Sequence, residues 1–521
     1  MKLSELVSDL EGLNIIINGR GVPSGSALLD EISEINIKSV VTDSRRAENG
    51  SLMICIDGVK CDGNDYAADA IKGGAIALVT EQAEKLCRLC PKDTVIIETD
   101  NARRACSYIY DKWYGKPSKR LKFIAVTGTN GKTSVTFMLK SIFESAFIKC
   151  GLIGTVRCYS DKRVLNYISH DPSAAMTTPD PEQLYALLKD MADDGVEYVF
   201  LEATSHSLAL EKLAPIMFEA AVFTNLTPDH LDFHKNMENY FSAKAKLFRR
   251  CRLAVINADD KYAARLRSEV LSEGQCRGVS CSTKYSFSDY YASDTVNKGV
   301  NGCEYKLISR GLLMNIQCRI PGSFTVMNSL EAAAVAIEVG ISPVTVHDAL
   351  AALVGIDGRM ESVSLCPGAN FSVFIDYAHT PDALENLLLT VRGFRRKGQR
   401  IVLLFGCGGD RDKSKRAVMG DIAARLADKV IVTSDNCRTE PPEKIIDDIL
   451  KGIGRDVSYT VIPDRKCAIE YAIKEARYGD IILLAGKGHE TYEITAAGKR
   501  PFNEKEIASE AAIRYYSAGG R

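Results

Sequence analysis

Along much of the chain, short apolar runs alternate with stretches of helical spacing. In the last third, four runs are too short for globular helices and are separated by helical stretches: Val373 to Ile375, Ile401 to Phe405, Val430 to Val432 and Ile481 to Leu484. They read as buried strands of a doubly wound sheet, in which ligands bind beyond the carboxyl ends. A polar or glycine-rich loop follows each strand: Asp376 to His379, Gly406 to Arg411, Ser434 to Glu440 and Gly486 to Glu490.

The middle of the chain repeats the theme. The run Phe123 to Val126 breaks at Gly128, and Val135, Met138, Leu139, Ile142, Phe143 and Ala146 then fall on one helical face. A helix is expected from Pro181 to Ala192 and a strand from Val196 to Leu201, ending in Glu202. A strand from Ala220 to Thr224 and a helix from Tyr240 to Arg250 follow, then strand Leu253 to Ile256, a β-rich insert over 280–320, and a helix from Ser329 to Val339 led in by Asn328. Ahead of all this, strands Leu52 to Ile56, Ile76 to Val79 and Val95 to Glu98 mix with helices Tyr66 to Lys72 and Ala102 to Trp113. The pattern predicts an α/β protein of three domains, 1–117, 118–357 and 358–521, the central one a P-loop domain with a parallel sheet and the last Rossmann-like.

Composition narrows the class. A chain of 521 residues with 46% hydrophobic content can bury several cores, and a net charge of −1 argues against a nucleic-acid groove. The N-terminus lacks an apolar signal core and no run approaches the roughly 18 apolar residues of a membrane span, so a cytoplasmic protein with no membrane partner is expected. The 16 cysteines are scattered as reduced thiols would be, and the lone pair Cys87 and Cys90 reads as helix-face thiols, not a zinc site.

The glycine turn carries chemistry. Backbone N–H groups over Gly128, Thr129, Asn130 and Gly131 can face phosphate oxygens, Lys132 can reach the outer phosphates, and the Thr133 hydroxyl can hold Mg²⁺. Val126 stands where a full P-loop has glycine, so the match is to a shortened loop. Glu202, at the carboxyl end of a buried strand, is the first metal candidate. The stretch Asp229-His230-Leu231-Asp232-Phe233-His234 concentrates two of the chain's seven histidines, either as a site or as helix-capping polar residues. Lys244 and Lys246 read most simply as solvent-facing.

In order, GTNGKTS, TTPDP, EATSHSL, FTNLTPDHLDFH, YFSAKAKLF, GRME, DYAHTPDALEN, FGCGGDRDKSKR and GKGHE run almost end to end, and together they resemble the Mur ligase family. That resemblance implies three α/β domains and an ATP-dependent ligase of peptidoglycan precursor synthesis. It would join meso-diaminopimelate to UDP-N-acetylmuramoyl-L-alanyl-D-glutamate through an acyl phosphate. It implies two Mg²⁺, one on Thr133 and Glu202 and one near Glu202, His230 and Lys244, with Lys132 a further catalytic residue. A bare ammonium about 6 Å from Mg²⁺ would be repelled by about 5 kcal/mol at an effective dielectric near 20. In the family this lysine is carbamylated by CO₂, and Lys244 occupies its place.

The resemblance further implies that Asn328 and Asp376 hold the adenosine of ATP, with Arg359 near its phosphates. Ser44, Thr177, Thr178, Ser205 and Lys212 would face the UDP-sugar peptide, although Lys212 stands where arginine is usual. Arg411, Asp435, Asn436, Arg438, Gly486 and Glu490 would receive the amino acid, with Cys437 replacing a proline and loosening the turn. L-lysine is the alternative substrate. A noncatalytic nucleotide or muropeptide sensor, a folylpolyglutamate synthetase and a generic nucleoside triphosphatase are the competing readings. The expected state is a monomer.

Overall fold

A computed structural model describes residues 1–17, 20–22, 32–58, 61–165, 177–272, 276–322, 324–454 and 457–517. The chain divides into two compact units, one of Met1–Ala125, Lys149–Glu219 and Ser242–Arg252, the other of Val126–Ile148, Ala220–Phe241 and Leu253–Arg521.

The first unit opens with a six-stranded sheet in the order Arg20–Val22, Asn14–Ile17, Val95–Glu98, Ala75–Thr80, Ser51–Ile54, Ser39–Val41. Its last four strands are parallel, and Asn14–Ile17 runs antiparallel to both neighbours. Helix Ala102–Trp113 forms as predicted, with the Asn101 side chain accepting the Arg104 N–H at its start. Cys87 is exposed on helix Ala83–Leu89, and Cys90 is buried just past its end. Later in the unit, Cys150–Ile153 pairs in parallel with Tyr198–Glu202. Helix Pro181–Asp193 buries Leu184, Tyr185, Leu187, Leu188 and Met191 along one face.

In the second unit, helix Lys132–Ser145 follows the glycine turn and buries the predicted face from Val135 to Phe143. The β-rich insert is four strands, Arg277–Ser282, Tyr290–Asn297, Cys303–Ser309 and Leu312–Cys318, the last three an antiparallel meander. Helix Phe324–Glu338 begins earlier than the alanine run suggests and contains Asn328. Burial of Thr325 and Val326 overrides the weak helix preference of this stretch.

The carboxyl-terminal sheet has the order Glu361–Ser362, Ser372–Asp376, Ile481–Ala485, Ile401–Phe405, Lys429–Val432, Tyr459–Val461, and all but the first strand are parallel. Alternation along the strands divides its core in two. Phe374, Leu403, Phe405, Val430, Val432 and Leu483 pack on one face, and Val373, Ile375, Val402, Leu404, Ile431 and Leu484 on the other.

Candidate active site

The glycine turn expected to face phosphates lies in the second unit. Strand Lys122–Thr127 gives way at Gly128, whose φ is 149° and where a Cβ would collide with the Thr224 hydroxyl, so the loop needs glycine. The loop is pinned by the next polar segment. Thr224 Oγ1 donates to the Asn130 carbonyl at 2.6 Å, the Asn130 N–H donates to Asn225 Oδ1 at 2.9 Å, and the Thr129 N–H donates to the Asn225 carbonyl at 3.0 Å. Lys132 Nζ folds onto the loop, donating to the carbonyls of Gly128 at 2.9 Å and Thr129 at 2.7 Å. A Cβ on Gly131 would stand 2.7 Å from Asn328 Oδ1, which brings the adenosine candidate against the loop.

Arg359 Nη2 donates to Thr133 Oγ1 at 3.1 Å, and its guanidinium lies 5.0 Å from the Tyr377 ring centre. The predicted phosphate and Mg²⁺ residues therefore meet. Asp376 accepts the N–H groups of Met360 at 2.8 Å and Ala378 at 2.9 Å, tying the Gly358 loop to its own. Burial pushes its carboxyl up, against Arg359 and these N–H groups.

Charge converges on Asp229. Burial would raise its carboxyl, but His230, His379, Lys132 and Lys415 hold it below the usual range. His230 has a φ of 53° and places Nε2 3.4 Å from Asp229 Oδ2. Burial, then Lys415, push the His379 imidazole down to about 4, so it is neutral at pH 7.

The amino-acid loops gather at the carboxyl ends of the last sheet. Asn436 Nδ2 donates to Glu490 Oε2 at 2.7 Å. Gly486 has a φ of 114°, and a Cβ there would sit 2.8 Å from Asp435 Oδ2. Arg438, with a φ of 52°, donates from Nη1 to the carbonyls of Gly409 at 2.8 Å and Asn436 at 3.2 Å, while its Nε is buried without a hydrogen-bond partner. Burial, then Arg438, lower the Arg411 guanidinium. Two arginines thus crowd one place, an arrangement that an anionic ligand relieves. Cys437 is buried as part of the apolar core on one face of this sheet, the Glu440 N–H donates to its carbonyl at 3.0 Å, and the Arg438 N–H donates to the Ile494 carbonyl at 3.1 Å.

In the first unit, Glu202 is fully buried. It accepts the Thr155 N–H on Oε1 at 3.0 Å and the Thr155 hydroxyl on Oε2 at 2.8 Å. A Cβ on Gly154 would collide with Glu202 Oε1. Thr155 Oγ1 also lies 3.0 Å from Thr177 Oγ1, and Thr178 Oγ1 donates to the Glu202 carbonyl at 2.9 Å. Lys212 Nζ reaches the Thr178 carbonyl at 3.2 Å and Asp180 Oδ1 at 2.9 Å. Ser205 is buried at the start of helix Ser205–Ala209. Ser44 begins a short turn whose Arg46 grips both Glu182 oxygens, at 2.7 and 2.6 Å. Lys244 is only 2% exposed, which corrects its reading as a solvent-facing lysine.

Of the four expected metal residues, Glu202 and Lys244 belong to the first unit and Thr133 and His230 to the second. Among the described residues no three His, Cys, Asp or Glu side chains form a ready metal cluster. The Glu202 carboxylate, oriented by Thr155, and the Thr133 hydroxyl are the hard oxygen donors Mg²⁺ prefers, so the residue types fit it.

Three family descriptions match in sequence: Mur ligase family, catalytic domain over 36–113; Mur ligase middle domain over 126–336; and Mur ligase, glutamate ligase domain over 358–488. The chain belongs to the Mur ligase family. This Mur ligase is 38% identical over 517 residues to the UDP-N-acetylmuramoyl-L-alanyl-D-glutamate--2,6-diaminopimelate ligase of Clostridium tetani, covering 99% of this chain and 100% of that protein. It is 42% identical over 480 residues to the ligase of that name from Caldanaerobacter subterraneus, covering 91% of this chain and 95% of that one. A solved structure of such a ligase matches with a TM-score of 0.65 at 30% identity, over 95% of this chain and 97% of that one. The three-domain α/β fold expected from the sequence is the family's.

Several residues that contact or face the candidate residues within each unit carried no assigned role in the sequence. Thr155 lies in an irregular stretch without periodicity or motif. Asp382, which accepts Asn130 Nδ2 at 2.5 Å, and Lys415 sit inside motifs already singled out, DYAHTPDALEN and FGCGGDRDKSKR, where their polar character was the available signal.

Proposed function

We propose that this chain is the ATP-dependent ligase that joins meso-diaminopimelate to the D-glutamyl γ-carboxylate of UDP-N-acetylmuramoyl-L-alanyl-D-glutamate. The observation that carries the amino-acid assignment is the receptor of Arg411, Asp435, Asn436, Arg438 and Glu490 at the carboxyl ends of one parallel sheet, together with the names of the relatives. The ATP γ-phosphoryl group passes to the carboxylate oxygen, giving an acyl phosphate and ADP. The neutral amine then attacks the acyl carbon, the C–O bond to phosphate breaks, and the nitrogen gives up a proton.

Lys132, the loop N–H groups and Arg359 hold the triphosphate, and Asn328 and Asp376 the adenosine. Thr133 and Glu202 would hold one Mg²⁺, and Glu202, His230 and Lys244 a second, which would supply charge neutralisation at the transferring group. The burial of Lys244 supports carbamylation, since the carbamate exchanges a buried cation for an anion with two oxygen donors. Ser44, Thr177, Thr178, Ser205 and Lys212 bind the UDP-sugar peptide, with Asp180 holding the Lys212 ammonium. The domains divide at 1–117, 118–357 and 358–521. The enzyme works as a cytoplasmic monomer. Among the described residues no helix is long and apolar enough to cross a membrane.

L-lysine is the second reading. It lacks the distal carboxylate that the paired guanidiniums of Arg411 and Arg438 suit. The test is ATP- and Mg²⁺-dependent phosphate release with the UDP-dipeptide and meso-diaminopimelate, L-lysine or no amine. Release stimulated by meso-diaminopimelate, with a product one residue heavier, is expected. Stimulation by lysine alone overturns the amino-acid assignment, and no stimulated release moves the reading to a nucleotide or muropeptide sensor.

A further inference from the structure

Beneath the amino-acid receptor lies Lys487, a lysine with no exposed surface and no role in the mechanism above. Its Nζ donates to Asn436 Oδ1 at 3.0 Å and to the Tyr492 carbonyl at 2.8 Å, and stands 3.4 Å from Glu490 Oε2 and 3.6 Å from Asp435 Oδ1. An ammonium can only donate, and so can the Ile494 N–H that reaches the same Asn436 oxygen at 2.9 Å. That atom must be the amide oxygen. The Asn436 NH₂ is therefore turned toward Glu490, where it meets Oε2 at 2.7 Å.

The consequence falls on Glu490. Asn436 and Lys487 both engage Oε2, and no hydrogen bond within the described residues engages Oε1. Charge points the same way. Lys487 lies within ion-pair distance of both Asp435 and Glu490, and Arg465 pairs with Glu504 at 2.7 Å. The Glu490 oxygen left without a hydrogen bond suits an ammonium group arriving on the substrate. Burial, then Asp435, raise the Glu490 carboxyl, opposed by Lys487 and Asn436. Burial would raise Asp435 too, but Lys487 and Arg465 hold it below its usual range.

We infer that Lys487 is a positioning residue for amino-acid recognition: it fixes the Asn436 amide and holds the Glu490 carboxylate so that one oxygen faces the ammonium of the incoming diamino acid. This rests on the reading that the amino acid binds at these loops.

The test is steady-state kinetics of Lys487→Met, alone and combined with Glu490→Gln. In the wild-type background the KM for meso-diaminopimelate rises by about tenfold or more, while the KM values for ATP and the UDP-dipeptide stay within about twofold. In the Glu490→Gln background the same substitution changes the KM for the amino acid by less than about threefold, because the charge it served is gone. The fall in amino-acid affinity on acidification also moves to higher pH in Lys487→Met, since Glu490 loses the cation that favours its charged form. An unchanged amino-acid KM in folded Lys487→Met overturns the proposal, as do equal effects in the two backgrounds or parallel losses in all three KM values. Should Lys487→Met not fold, Lys487→Gln, which keeps one donor without the charge, is judged by the same outcomes. Wild-type protein that ligates no diamino acid defeats the functional reading instead, so the two failures are separable.

Discussion

Among the described residues two glutamates have no exposed surface, and they could hardly differ more in their surroundings. Glu202 has a donor on each oxygen, both from Thr155, and a glycine beside it leaves it room. Glu331, on helix Phe324–Glu338, has no hydrogen-bond partner on either oxygen. Burial, then Asp259, push its carboxyl well above the ordinary value. Burial by itself therefore says little about function. What separates a working carboxylate from a buried cost is whether the fold supplies donors that orient it.

The comparison breaks most sharply at Glu202. Glu202→Gln keeps the shape and removes the charge, and is expected to lower kcat by about a thousandfold with little change in melting temperature. Phosphate-release assays beside a thermal melt check this, and activity within tenfold of wild type would place the essential charge elsewhere. Lys244 extends the comparison to a buried cation. Lys244→Arg keeps a positive charge but cannot form the ordinary lysine carbamate, and is expected to lose about a hundredfold in kcat. Wild-type enzyme depleted of CO₂ should recover on adding bicarbonate, and the variant should not.

Thr155→Val removes one of the two donors to Glu202 and keeps the backbone N–H. A loss of about tenfold in kcat is expected, the worth of one hydrogen bond to a charged group, with the KM for the amino acid unchanged. The smallest effect on activity and the opposite one on stability belong to Glu331→Met, which should leave turnover within about twofold and raise the melting temperature. The gain is expected to be larger at pH 8 than at pH 5. An unfolded glutamate gives up its proton near pH 4.3, whereas burial shifts the release from folded Glu331 to higher pH, so the carboxyl costs stability increasingly as pH rises above that value. The cost is about 1 to 3 kcal/mol for an unsatisfied buried polar group, read as a shift in melting temperature at the two pH values.

The sheet strands and the glycine turn were legible because apolar runs bounded by glycine are a local signal. Ile401–Phe405 and Val95–Glu98 form over the predicted residues. What escaped was either short and exposed or dependent on distant partners. Strand Tyr459–Val461 lies at a sheet edge with little apolar content, and the hairpin Tyr492–Thr495 with Gly498–Pro501 is mostly polar. Lys244 was misread although a signal existed. It falls four residues after Tyr240 and four before Phe248, both buried, and so lies on the inner stripe of helix Met237–Phe248. Thr155 had no such signal, since only the folded strand pair brings it against Glu202. Asp435 to Arg438 were found through the motif, but that Lys487 dictates which way the Asn436 amide points follows only from the donors around it.

The order of the last sheet has a consequence for how the protein is made. Ile481–Ala485 is the final parallel strand in the sequence, yet it lies between Ser372–Asp376 and Ile401–Phe405. A ribosome must therefore release the chain past Ala485 before those two strands gain their shared neighbour, and until then both present unpaired edges to other nascent chains. The same late strand leads into Gly486, Lys487 and Glu490, so the candidate amino-acid pocket stays incomplete until this strand is in place.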